Sequence, residues 1–287
     1  MKHYEGAFAG VRGIDIRYQY WLPEDAPHAS LLIVHGLAEH CGRYINLINH
    51  FIPLGYAVFG VDHIGHGKSG GRRAHVKRFS DFISILSTYV EKIRGWQPEA
   101  PLFMIGHSLG ALIGAIYLLD HPSDVVGAIF SGPLVSVPEN ISPATVLLSR
   151  LLSVVVPKLG VATVDPTGVS RDKAVVRAYV ADPLVYNGKT TARLGCETLK
   201  AMRRVARQGS EIELPLLVLQ GGADRLVSPR GAEMLYSVAG STDKTLKVYE
   251  GLYHEIYNEP ERHQILADAE AWLRERLPTS DSVPSLD

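Results

Sequence analysis

With 287 residues, 46% of them hydrophobic and 21% charged, the chain is long enough to bury one large core or two modest ones, and a single catalytic domain carrying an insertion fits that length. A net charge of −1, with no long lysine-arginine cluster, argues against a nucleic-acid partner. Met1 to Tyr20 is polar and charged throughout, unlike a secretory signal, and no uncharged apolar stretch is long enough to span a bilayer.

Only two cysteines, Cys41 and Cys196, are present and they lie far apart, so a disulfide framework is not expected. The expectation is a reduced, cytoplasmic protein, with peripheral contact with a membrane left open.

Short apolar runs alternate with amphipathic stretches, the pattern of a mostly parallel sheet covered on both faces by helices. Ser30 to Val34 predicts a buried strand ending at His35-Gly36, and Arg43 to Leu54 a helix stopped by Gly55. Tyr56 to Asp62 is the next expected strand, running into the glycine-rich loop His63 to Gly67. Phe82, Ile83, Leu86, Tyr89, Val90 and Ile93 recur at helical spacing, which predicts a helix over Ser80 to Trp96 lying on the sheet. Pro101 to Ile105 then reads as a strand, followed by the turn Gly106 to Gly110 and a helix from Leu109 to about Asp120. Val125 to Ser131 is a further strand.

After Gly132-Pro133 the alternation lapses until about Gly209, and a long apolar segment from Ala144 to Val161 is broken only by Arg150, Pro157 and Lys158. Residues 134–209 are therefore expected to form an inserted helical cap between two core segments, 1–133 and 210–277. Alternation resumes with a strand at Leu214 to Gln220, a helix at Ser228 to Ala239, a strand at Thr245 to Tyr249 and a final helix at Pro260 to Leu277. The tail 278–287, rich in Ser, Pro and Asp, is expected to be disordered.

The chemistry is concentrated in Gly106-His107-Ser108-Leu109-Gly110. A serine hydroxyl needs a base to remove its proton and a pair of donors to hold the oxyanion. In Gly-x-Ser-x-Gly, between a strand and a helix, the serine sits on a strained turn, and the glycines remove Cβ atoms that would clash. This context points to an α/β-hydrolase fold with Ser108 as nucleophile.

The chain order in that fold is serine, then acid, then histidine. Of the three histidines after Ser108, His121 lies at the far end of the helix that the serine begins and His263 lies within the last helix. His254 alone follows a strand through a loop, at the sheet edge where ligands bind. Asp224, after the preceding strand and the turn Gly221-Gly222-Ala223, is the acid expected to orient it.

The backbone N–H groups of Leu109 and Leu37 are the expected oxyanion donors, by position. His35 is expected to brace the Leu37 loop. The spacings His35/Glu39/His40 and His63-x-x-His66 invite a metal reading, but neither pair has a third clustered ligand, and no metal or other cofactor is expected.

Taken together, His35 to Tyr44, Asp62 to Gly71, Gly106 to Gly110 and the Asp224 and His254 segments resemble the monoacylglycerol lipase family, within the serine aminopeptidase S33-type hydrolases. The resemblance runs from roughly Val11 to Leu277. It includes Ser170-Arg171-Asp172 and Tyr179 to Leu184 in the cap, and Gly251 to Glu255 is closest in character to bacterial members. It implies hydrolysis of monoacylglycerols or other small lipid esters without a cofactor, with Glu39, Arg43 and Tyr179 placing the glycerol hydroxyls. Leu109 and Ala111 stand where many relatives carry Met and Gly; a backbone donor tolerates the first and a small side chain the second.

The cap, apolar from Ala144 to Val156, fits a lid that lines an acyl tunnel, one that also meets a membrane or micelle transiently, and a helix simply packed onto the core domain, and sequence does not divide these. Other readings are a general carboxylesterase or lysophospholipase, and a non-catalytic hydrolase-fold protein binding a small apolar ligand.

Overall fold

The computed structural model describes residues 1–136 and 151–277. Its centre is an eight-stranded sheet. In chain order the strands are β1 (Lys2–Ala9), β2 (Asp15–Leu22), β3 (Ala29–Val34), β4 (Tyr56–Val61), β5 (Leu102–His107), β6 (Gly127–Ser131), β9 (Leu216–Gly221) and β10 (Lys244–Tyr249). They lie in the spatial order β1-β2-β4-β3-β5-β6-β9-β10. The β1–β2 and β2–β4 pairs are antiparallel and the others parallel. This is the α/β-hydrolase architecture that the sequence predicts.

The uninterrupted apolar strands follow from burial on both faces. Along β3, Leu32 and Val34 enter one core while Leu31 and Ile33 enter the other. In β9, Leu216 and Val218 likewise face away from Leu217 and Leu219. The first core is roofed by α2 (Ser80–Trp96) and α3 (Leu109–Asp120), the second by α1 (Ile45–Phe51) and the last helix, α7 (Arg262–Arg274). Expected element boundaries shift by a few residues: the helix predicted from Arg43 opens as a 3-10 turn at Cys41–Tyr44 and closes as another at Ile52–Leu54.

Two features depart from the expected layout. The sequence pattern predicts no strand before Ser30, yet β1 and β2 form a hairpin that extends the sheet by antiparallel pairing. In the 134–209 interval, a small antiparallel pair, β7 (Gly160–Ala162) with β8 (Thr190–Thr191), stands outside the main sheet. Beside it lie α4 (Lys173–Ala181) and a long helix, α5 (Ala192–Gln208), whose start Thr191 caps by accepting from the Leu194 amide at 3.3 Å. Leu194, Ala201, Met202 and Val205 of α5 belong to the first core. A further helix, α6 (Arg230–Val238), follows β9. Residues 151–155 are helical, whereas the rest of the apolar segment predicted from Ala144 falls largely outside the described residues, as does the tail 278–287.

Candidate active site

The parallel strands deliver their carboxyl ends to one edge, and the three residues expected to cooperate emerge there. Ser108 lies between β5 and α3 with φ 53° and ψ −117°, a conformation that L-residues adopt only when the surroundings impose it. The surroundings do so: the Ser108 amide donates to the Ser131 carbonyl at 2.9 Å, and the flanking glycines allow close approach. A Cβ on Gly110 would overlap the Val34 carbonyl oxygen, and one on Gly106 would come within 2.9 Å of the Ala111 Cα.

Asp224 and His254 project from the loops after β9 and β10, and His254 Nδ1 lies 2.7 Å from Asp224 Oδ2. Gln220 Nε2 donates to the same oxygen at 3.1 Å, while the amides of Leu226 and Val227 donate to Oδ1 at 2.8 and 3.0 Å. Burial alone would raise the Asp224 pKa, but the bonds from His254 and from the two amides hold it below the ordinary carboxylate value. For His254 burial would lower the pKa, but the Asp224 hydrogen bond and charge raise it above the ordinary imidazole value. With Nδ1–H donated to the carboxylate, Nε2 is the nitrogen left to take a proton.

His107 packs against His254, ring centroids 4.6 Å apart. Burial, reinforced by repulsion from His254, pushes its pKa down to about 3, so this second imidazole stays neutral and holds Ser131.

The loop after β3 carries Leu37. The Gly36 amide is taken up by Glu39 Oε1 at 2.7 Å, and the same oxygen accepts from Tyr44 Oη at 2.8 Å. Among the described residues, the amides of Leu37 and Leu109 have no protein acceptor. His35 braces the loop: its Nδ1 donates to the Gly36 carbonyl at 2.8 Å and its Nε2 accepts from the His63 amide at 2.9 Å. Both nitrogens are thus occupied, and burial lowers the His35 and His63 pKa values well below the ordinary range. Among the described residues, no group of three or more His, Cys, Asp or Glu side chains is arranged to hold a metal ion.

Glu39, Arg43 and Tyr179 come together, but as a saturated network. Arg43 reaches Glu39 Oε2 at 2.7 Å and grips Glu255 through two bonds of 2.6 and 2.7 Å, while its guanidinium lies 4.6 Å from the Tyr179 ring centroid. Glu255 is a residue to which the sequence alone assigns no role. Its only signal was its position directly after His254. Burial raises the Glu39 pKa, whereas the Arg43 grip outweighs burial at Glu255 and keeps that pKa low. Arg43→Met would leave two buried carboxylates uncompensated, with an expected loss of about 3–5 kcal/mol of stability. Urea denaturation checks it, and a loss under about 1 kcal/mol would show that the network is not structurally important.

Ser108, His254, Glu39, Tyr179 and Glu255 line one cavity of about 360 Å³. A second cavity of about 490 Å³ is walled by apolar groups including Leu109, Leu152, Val161, Leu194, Leu199 and Met202. The two share Leu37, Leu134, Thr163 and Val164 as walls. Segments between β6 and β9 are fastened over this edge by His40 Nε2 to Asp182 at 2.9 Å, the Tyr186 amide to the Ala38 carbonyl at 2.8 Å and the Glu255 amide to the Val169 carbonyl at 2.8 Å.

A serine on a forced turn, a histidine-carboxylate pair and a polar cavity sharing walls with an apolar one define a serine hydrolase of the α/β-hydrolase class. Comparison with known families narrows this. The chain belongs to the family described as serine aminopeptidase, S33, which matches residues 25–261. It is 37% identical over 273 residues to the monoacylglycerol lipase of Mycolicibacterium smegmatis, covering 95% of this chain and 98% of that protein. It is also 37% identical over 262 residues to the monoglyceride lipase of Rattus norvegicus, covering 90% and 86%. Among solved structures, the monoacylglycerol lipase of Paleococcus ferrophilus matches with a TM-score of 0.80 at 29% identity, over 96% of this chain and 100% of that one.

Proposed function

We propose that the chain hydrolyses monoacylglycerols to a fatty acid and glycerol through an acyl-enzyme on Ser108. The observation that carries this reading is the pair of adjoining cavities: a polar one at Ser108 and His254 for the ester and its small alcohol, and an apolar one for the acyl chain. The names of the relatives at 37% identity support the same substrate.

In this mechanism Ser108 Oγ attacks the ester carbonyl as His254 Nε2 takes its proton, and Asp224 holds the resulting imidazolium. The Leu37 and Leu109 amides receive the oxyanion, the latter at the first turn of α3. His254 then protonates the departing glycerol, and water, activated by the same imidazole, releases the fatty acid. Glu39 and Tyr179 face the alcohol end of the cavity, and Arg43, which does not line it, acts by holding both in place.

Residues 134–209 serve as the cap, and its exposed Leu151, Val154 and Val155 form an edge suited to transient lipid contact.

The decisive comparison is a panel of monoacylglycerols of graded chain length against simple alkyl esters and lysophospholipids. Preference for monoacylglycerols is expected, and a clear preference for either other class would move the assignment to a carboxylesterase or lysophospholipase. Within the panel, Leu199→Trp narrows the apolar cavity. It is expected to cut turnover of the palmitoyl ester by at least about tenfold while sparing the butyryl ester. Equal losses on both would place the chain elsewhere.

A further inference from the structure

A cavity of about 510 Å³ lies away from Ser108, at the seam between the loop that follows β4 and residues 153–157. Arg12, Arg72, His75, Lys77 and Arg193 contribute to its wall, and among the described residues no Asp or Glu does. Two of these charges are answered nearby: Arg12 binds Asp81 at 2.8 Å, and Arg193 approaches Glu197 at 3.4 Å. Arg72, Lys77 and the adjacent Lys158 have no carboxylate partner among the described residues. Arg72 reaches only the Lys158 carbonyl, at 3.4 Å. His75 registers the resulting potential: burial first, then the charges of Arg72, Lys158 and Arg193, lower its pKa. In a chain of net charge −1, positive charge from two sides of the seam converges on one recess.

The rest of the wall is apolar, with Ile14, Ile64, Val154 and Pro157. The helical residues 151–155 separate this recess from the apolar cavity beside Ser108: Leu152 lines the latter, Ser153 and Val154 the former. Leu151, Val154 and Val155 on the same turns are 58%, 73% and 67% exposed. A cationic recess bordered by unburied aliphatic side chains matches the two layers of an anionic bilayer surface, phosphate above and hydrocarbon below.

We propose that this recess seats the phosphate of an anionic phospholipid still resident in a bilayer, docking the exposed edge of the cap on the membrane. Docked in this way, the wall of the acyl cavity lies against the phase that holds the lipid ester. The proposal rests on the lipid-facing reading of the cap and adds charge selectivity to it.

The test is sedimentation of the full-length protein with sucrose-loaded vesicles of phosphatidylcholine alone or doped with phosphatidylglycerol. Doping is expected to raise the bound fraction at least about tenfold at low salt, and high salt to remove the gain. Arg72→Glu and Lys158→Glu, both at exposed positions, are each expected to reduce that gain at least about fivefold while turnover of a water-soluble ester is unchanged. Equal binding to both vesicle types, or variants that keep the full gain, would overturn the proposal. Displacement by millimolar inorganic phosphate at constant ionic strength would also overturn it, by making the recess a small-anion site. Binding to neutral vesicles, and its loss in the double variant Val154→Ser/Val155→Ser, reads the apolar contact alone, so failure of that contact is distinguishable from failure of the phosphate seat.

Discussion

Ser108→Ala is expected to lower kcat for a short p-nitrophenyl ester by roughly 10⁴- to 10⁶-fold without unfolding the protein. Alanine keeps the Cβ and therefore the same forced backbone at φ 53°, held by the Ser131 carbonyl and by the contacts of Gly106 and Gly110. Only the hydroxyl is lost, and thermal stability should stay within about 0.5 kcal/mol of the parent. Steady-state kinetics paired with a melting curve separate the two effects. Normal turnover would remove Ser108 from the chemistry, whereas lost turnover with a collapsed melt would leave structure as the cause.

Asp224→Asn has the second-largest expected effect, about 10⁴-fold in kcat. The Leu226 and Val227 amides require an acceptor, so the Asn carbonyl turns toward them and its amide group toward His254. Gln220 Nε2, a donor to the same carboxylate oxygen, then faces another donor. The imidazole must present a lone pair at Nδ1, which places its proton on Nε2, the nitrogen needed as base. The pH profile adds an independent reading. Asp224 raises the His254 pKa above its ordinary value, and catalysis needs the neutral ring, so kcat/KM should rise with pH through that raised value. Removing the carboxylate should lower the plateau and move the rising limb to more acidic pH. An unmoved limb would mean that another group controls it.

How much of this was legible in sequence depended on how local its cause was. Strands such as β3 and β9 announce themselves because alternate residues enter two different cores, which forces an unbroken apolar run. The β1–β2 hairpin gives no such signal, since β1 sits at the sheet margin with most side chains in water. Helix α5 was hidden differently. Its buried face, Leu194, Ala201, Met202 and Val205, also includes Cys196, Glu197 and Thr198, which dilute the apolar period. Only tertiary partners explain those polar positions: the Phe79 amide donates to Glu197 at 3.0 Å.

The candidate site divides along the same line. Ser108, Asp224 and His254 could be named because each follows a strand in a fixed chain order. The structure brings Asp224 and His254 into hydrogen-bond contact and sets Ser108 and His254 in one cavity. The Glu39–Arg43–Glu255 network could not be read in this way. Arg43 and Glu255 are 212 positions apart, and nothing local to either one indicates that both are buried or that they meet.

The most direct test of the central claim is peptide mapping after stoichiometric reaction with a long-chain alkyl fluorophosphonate, an electrophile shaped like the acyl transition state. A single adduct on the peptide containing Ser108, formed in step with loss of monoacylglycerol hydrolysis and slowed by competing monoacylglycerol, is the expected result. An adduct on another residue, or full hydrolysis persisting after Ser108 is labelled, would contradict the account.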